Sequence, residues 1–133
     1  MLYRYCIVFS ILIFNLALFS ALPVDALTLT EFSAGISANS GLQTITAGSD
    51  GNLWFVEFDG NRIARITPNG VVSEFSSGIS PDSQPVGIAA GSDGNLWFTE
   101  ANANNIGRIT PSGGATEYPV TTAGSAPWDI ASG

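Results

Sequence analysis

Apolar and polar positions along the chain fall into short runs separated by residues that favour turns. Between Val86 and Val120 four such runs follow one another, Val86–Ala90, Leu96–Glu100, Asn105–Thr110 and Ala115–Val120, and each has the length and composition of a β-strand. Ser92-Asp93-Gly94-Asn95 separates the first two, and its Asp-Gly step supplies the positive φ that a tight hairpin requires. Pro111-Ser112-Gly113-Gly114 turns the chain between the last two. Leu96-Trp97-Phe98 is apolar at successive positions rather than alternating, which predicts a strand covered on both faces. In the third run Ile106 and Ile109 are expected to point inward and Arg108 to reach solvent. No stretch of ten positions carries apolar residues at a 3.6-residue spacing, which excludes a solenoid of helical repeats.

The same pattern occurs 43 residues earlier. Gly48-Ser49-Asp50-Gly51-Asn52-Leu53-Trp54-Phe55 recurs unchanged as Gly91 to Phe98, and Asn61 to Pro68 recurs with changes as Asn104 to Pro111. Glu31-Phe32 returns as Glu74-Phe75 and again as Glu117-Tyr118. A third copy begins at Pro127-Trp128-Asp129-Ile130-Ala131, which echoes Pro85 to Ala89. Four antiparallel strands in a unit of this period describe one blade of a β-propeller. The expected fold class is therefore all-β, about two and a half propeller blades, with repeats near 27–68, 69–111 and 112–133. A blade buries both faces against its neighbours, so closing a ring calls for missing blades or for self-association.

Residues 1–26 change the picture at one end. Arg4 precedes an apolar stretch from Cys6 to Phe19, and Val24-Asp25-Ala26 has the form of a cleavage site, so the segment reads as an export signal. An uncleaved anchor is the alternative, and Pro23 and Asp25 argue against it. A secreted or periplasmic location follows, with membrane contact only through this segment. The single cysteine, Cys6, lies within it, so 27–133 has no thiol chemistry. That part carries ten acidic residues against Arg62, Arg65 and Arg108, a balance that repels phosphate backbones and excludes nucleic acid as a partner. The chain contains no histidine, which removes imidazole from any acid–base or metal chemistry it performs alone.

Pro85 to Gly113, reading Pro-x-Gly-Ile-Ala-x-Gly-x-Asp-Gly-Asn-Leu-Trp-Phe-Thr-Glu and then Asn-x-Ile-Gly-Arg-Ile-Thr-Pro-x-Gly, resembles the repeat of the virginiamycin B lyase family. Gly41 to Gly70 matches from Gly48 onward. The resemblance implies part of a seven-bladed propeller, whose parent activity is magnesium-assisted elimination at the ring ester of streptogramin B antibiotics, with a small cyclic peptide as ligand. It also implies a general acid–base pair: a histidine directly after the Pro, and the Glu that ends the Leu-Trp-Phe-x-Glu strand. Those positions are Val86 and Glu100 in one repeat and Gln43 and Glu57 in the previous one, and Trp128 stands at the histidine position of the third. The carboxylate is present and the imidazole is not, so no complete catalytic set is expected. A binding propeller without catalysis is the second reading, and a lactonase-like hydrolase the third.

Glu57, Glu100 and Trp128 are the candidate residues for a propeller mouth. A carboxylate at the end of a strand can hold a divalent cation such as Mg2+, whereas its repetition favours a hydrogen-bond anchor. Asp50 and Asp93 read as turn formers, because the alternating oxygen ligands of a calcium loop are missing. Repetition likewise assigns Trp54, Trp97, Phe55 and Phe98 to packing between blades, and Arg65 and Arg108 to anchoring of loops.

Overall fold

The computed structural model describes residues 30–133, so the export signal and its cleavage site lie outside the described residues. Within the compact unit Phe32–Gly133 the chain forms eight strands in two sheets. The first sheet contains β1 (Leu42–Ala47), β2 (Leu53–Glu57), β3 (Arg62–Ile66) and β4 (Val72–Phe75). The second contains β5 (Pro85–Ala90), β6 (Leu96–Glu100), β7 (Asn105–Ile109) and β8 (Ala115–Pro119). Each sheet is an antiparallel meander in chain order, which is the architecture of a propeller blade. The four expected strands of the second blade are met within one residue at either end.

Turn chemistry explains why the strands stop where they do. Asp50 Oδ1 accepts from the Asn52 N–H (3.2 Å) and from Trp54 Nε1 (3.1 Å), and Gly51 takes φ 77°. Asp93, Asn95, Trp97 and Gly94 repeat this arrangement, with φ 80° at Gly94. Burial pushes the Asp50 carboxyl up, but hydrogen bonds from Asn52 and Trp54 outweigh it and hold the group below the ordinary range.

Register decides which side chains face the neighbouring sheet. Trp54, Val56, Ile63 and Phe75 share one face of the first sheet. Ile88, Leu96, Phe98 and Ile109 share one face of the second. With Ile79 from the connecting loop, these residues form the core. Identical sequence therefore meets different surroundings. Leu96 is 0% exposed and its repeat partner Leu53 is 46% exposed, because Leu53 lies on the face of the first sheet turned away from the second. Burying a side chain of that size stabilises by about 1.5–3 kcal/mol, so each further face covered is worth several such increments. On that uncovered face Phe32, Leu42, Ile45, Leu53 and Ile66 line an apolar groove.

Two expectations for β7 need correction. Ile109 is in the core, but Ile106 is only half-buried, since residues three apart in a strand point to opposite faces. Arg108 does not extend into solvent. Its guanidinium lies 5.9 Å from the ring centroids of both Trp97 and Tyr118, which stack on each other at 5.7 Å. Arg65 repeats this over Trp54 and Phe75, and also donates to the Pro111 carbonyl (2.9 Å), tying the first sheet to a loop of the second. The planar cation on an aromatic face makes each arginine part of the packing.

Two predictions follow from the packing. The Phe98 ring occupies the space that a side chain at Gly107 would need, so Gly107→Ala should lower unfolding free energy by about 1–3 kcal/mol in urea titrations. Asp50→Ala should cost about 1–3 kcal/mol because it strands the indole N–H of fully buried Trp54, whereas Asp93→Ala should cost less, since Trp97 reaches water. Comparing urea midpoints of the two variants checks the difference.

Candidate functional site

The inner strand of each blade carries an irregularity at the same place. In β5 the pairing passes from Pro85↔Glu100 to Ile88↔Phe98, so Val86 and Gly87 face the single residue Thr99. In β1 it passes from Leu42↔Glu57 to Ile45↔Phe55, so Gln43 and Thr44 face Val56. Such a β-bulge bends the strand and re-aims its side chains. The positions where the resemblance expects histidine, Gln43 and Val86, are thus the first residues of the two bulges.

Bulging disturbs the ladder, and side-chain hydroxyls meet the exposed backbone groups. The Gly87 N–H donates to Thr99 Oγ1 (2.9 Å), which in turn donates to the Trp128 carbonyl (3.2 Å). Thr44 Oγ1 donates to the Val86 carbonyl (2.7 Å). The start of the third repeat lies against β5, with Asp129 Cα only 3.0 Å from where a Cβ on Gly87 would stand. Gly87 is needed for that approach. Val86 is consequently buried, whereas Gln43 is exposed and the Trp128 side chain is 65% exposed.

Glu57 and Glu100 end β2 and β6, and both are fully buried. Their surroundings differ. Glu57 Oε2 accepts from Arg62 Nε (2.9 Å), and Arg62 Nη1 stands 3.6 Å from Glu74 Oε2, so one guanidinium lies between two carboxylates. Burial raises the Glu57 carboxyl above its ordinary range, with Arg62 opposing the shift. Burial also acts upward on Glu74, but the Ser37 N–H and Oγ at 2.6 and 2.7 Å, together with Arg62, hold it low. In the second blade the counterparts are Glu100, Asn105 and Glu117, and among the described residues both oxygens of Glu100, against one of Glu57, make no well-formed hydrogen bond. Burial and the neighbouring Glu117 push the Glu100 carboxyl up to about 7.

The structure brings Glu57 to Glu74, and Glu100 to Glu117, but keeps Glu100 and Trp128 apart. Thr99, which holds the Trp128 carbonyl, and Glu100 alternate to opposite faces of β6. Glu74 and Glu117 were visible in the sequence as a repeated Glu-aromatic pair, yet nothing in their spacing identified them as partners of the strand-ending carboxylates. The loop clamps were also missed. Asn61 Oδ1 accepts from Ser83 Oγ and the Gln84 N–H (both 3.1 Å), and Asn104 Oδ1 accepts from the Ala126 N–H (3.0 Å). Both asparagines have positive φ, 51° and 57°, for which their repetition in the turn was the available signal.

Mg2+ takes oxygen ligands in tight octahedral geometry and retains several waters. Among the described residues no three of His, Cys, Asp and Glu come together. Glu57 is already paired with Arg62, and Glu100 is closed off from water. The residues described do not fit this ion.

Comparisons with known proteins agree with the architecture. The model of the virginiamycin B lyase family matches residues 24–133. A crystal structure of selenomethionine-substituted virginiamycin B lyase from Staphylococcus aureus is 42% identical with a TM-score of 0.75, over 80% of this chain and 36% of that one. A catalytically inactive His-to-Ala variant of virginiamycin B lyase from Staphylococcus aureus, crystallised with quinupristin, is 43% identical with a TM-score of 0.72, over 79% and 35% of the two chains. A putative gluconolactonase at 21% identity and a TM-score of 0.53, over 75% of this chain and 40% of that one, shares the fold alone. No protein with a curated description matches the chain. The chain thus spans little more than a third of the length of the lyases it resembles. On the family match and these identities, the chain belongs to the virginiamycin B lyase family.

Proposed function

We propose that the chain builds two blades and the start of a third in an exported propeller of the streptogramin B lyase kind, and that its share of the work is scaffold and ligand-facing loop rather than proton transfer. One observation carries this reading. The position that holds histidine in the family repeat is filled by Gln43, Val86 and Trp128, none of which exchanges a proton near neutral pH. Opening a ring ester by elimination needs a base to remove a proton beside the breaking C–O bond and an acid to protonate the leaving carboxylate. Glu57 is held by Arg62, and Glu100 is sealed inside the blade, so neither reaches a substrate. The ring's remaining blades would supply the imidazole.

A second reading, a propeller that binds a ligand without opening it, is favoured by Trp128. Trp128 is 65% exposed while its carbonyl is fixed to Thr99, so a flat apolar side chain is presented from an anchored backbone.

Incubating the full chain with quinupristin and Mg2+, with mass spectrometry for the linear product, should show no ring opening, and turnover would overturn the first reading. Tryptophan emission in the same titration tests the second. A saturable change that weakens at least about tenfold in Trp128→Ala supports binding at this edge, and the absence of any change removes that reading.

A further inference from the structure

Blade by blade comparison isolates one place where the repeat changes its chemistry. In the first blade Glu57, Arg62 and Glu74 lie on one face, as set by the pairings Glu57↔Arg62 and Ala64↔Glu74. In the second blade the same register places Glu100, Asn105 and Glu117 together through Glu100↔Asn105 and Gly107↔Glu117. Glu117 reaches diagonally past Gly107 to Glu100, as Glu74 reaches past Ala64 to Glu57. The two carboxyls stand next to each other, as Glu57 and Glu74 do in the first blade, but the cation that touches both in the first blade has been replaced by a neutral amide.

A second change accompanies the first. A methyl group on Gly60 would stand 2.8 Å from Arg62 Nη2 and 3.0 Å from Glu57 Oε2, so the guanidinium would have to shift to admit it. The repeat partner of Gly60 is Ala103, which carries that methyl group. The pair Gly60 and Arg62 has thus become Ala103 and Asn105, and the space of the lost guanidinium is partly refilled by carbon.

Among the described residues no other cation takes its place. Ser80 donates its N–H (2.5 Å) and Oγ (2.7 Å) to Glu117, which keeps that carboxyl charged and below its ordinary range against the upward push of burial. Ser83 is fully buried and spends its hydroxyl proton on Asn61 Oδ1. From β5 the residue opposite Glu100 is Pro85; from β7 Arg108 projects to the other face, over Trp97; in the first sheet Arg62 lies on the face turned away. Among the described residues neither oxygen of Glu100 makes a well-formed hydrogen bond, and the nearby Ser83 and Asn105 side chains pull its carboxyl down by less than burial and Glu117 push it up. Ionising two adjacent carboxylates in such a place is costly, and one shared proton converts the repulsion into a hydrogen bond.

We propose that Glu100 and Glu117 hold one proton between them at neutral pH, forming an acid pair that fastens β8 to β6 in the second blade as Arg62 fastens β4 to β2 in the first. Glu100 is the donor and Glu117, already bonded to Ser80, the acceptor.

The sign of the pH dependence follows. In the unfolded chain Glu100 loses its proton near the ordinary value of 4.5, and in the folded chain it retains it to about 7. Between those values the folded state binds more protons, so stability falls as pH rises and levels off above the folded value. In the full chain, the unfolding constant should rise up to about tenfold per pH unit within this window relative to Glu100→Gln, which keeps the donor amide but cannot titrate. The double variant Ala103→Gly with Asn105→Arg, which rebuilds the first blade's arrangement, should remove the same excess. Infrared difference spectra of wild type against Glu100→Gln at neutral pH should contain the carbonyl stretch of a protonated carboxyl. Identical pH profiles in wild type and Glu100→Gln would overturn the proposal. So would stabilisation by Mg2+ or Ca2+ alone that disappears in Glu100→Gln, because a metal would then occupy the proton's place.

Discussion

Contact between two sheets through the strands that carry Leu-Trp-Phe is the constraint on which the rest of the molecule depends. Phe98 fits only because Gly107 opposite it has no side chain, and Trp54 is fully buried only because Ile88, Leu96 and their neighbours close over it. Each strand contributes alternate residues to the two faces of its sheet, so one three-residue string supplies both halves of a repeated interface. Leu53 and Leu96 show the consequence. Their local sequence is the same, and their burial is set by whether another sheet lies against that face. Stability in this fold is therefore a property of neighbouring pairs of blades, as in any repeat protein.

Once the faces are apolar and flat, polar groups are pushed to the ends and edges of the blades, and the repeat solves each problem by a fixed device. The indole of Trp54 needs an acceptor and finds Asp50, which also caps the turn. Arg65 is planar enough to lie on Trp54 and Phe75 and still reach the Pro111 carbonyl of the next blade. Asn61 and Asn104 adopt positive φ and gather the backbone of the following loop. Each device meets groups of the chain itself. They recur because every blade boundary presents the same unpaired groups.

Fold and blade boundaries were legible because they depend on local signals: the Asp-Gly turns, the Leu-Trp-Phe string and the repeat itself. Locations of Glu57 and Glu100 at strand ends were legible for the same reason. Their partners were not. Glu74 and Glu117 approach them diagonally across β3 and β7, a relation that exists only once register is fixed. Ile106 and Arg108 show a different limit. Both were assigned from residue type, but strand alternation governs Ile106, and the faces of Trp97 and Tyr118 offer Arg108 a surface that solvent does not. The bulges were invisible, because an extra residue in a strand alters pairing without altering composition.

That invisible feature bears most on chemistry. Within a regular ladder, a residue's side chain is committed to one face and must suit the neighbouring sheet. At Val86 and Gln43 the bulge sets two residues against one, and the Gly87 N–H turns to the hydroxyl of Thr99. Backbone needs are thereby met without the side chain of the first bulge residue, and the position tolerates Gln, Val or Trp in successive repeats. Glu100 has the opposite status, since its carboxyl is enclosed and its environment decides its protonation. The two positions that the resemblance pairs as acid and base are thus structurally unlike, one tolerant and one constrained. Repetition preserves the constrained carboxylate in both blades, and lets the tolerant position vary.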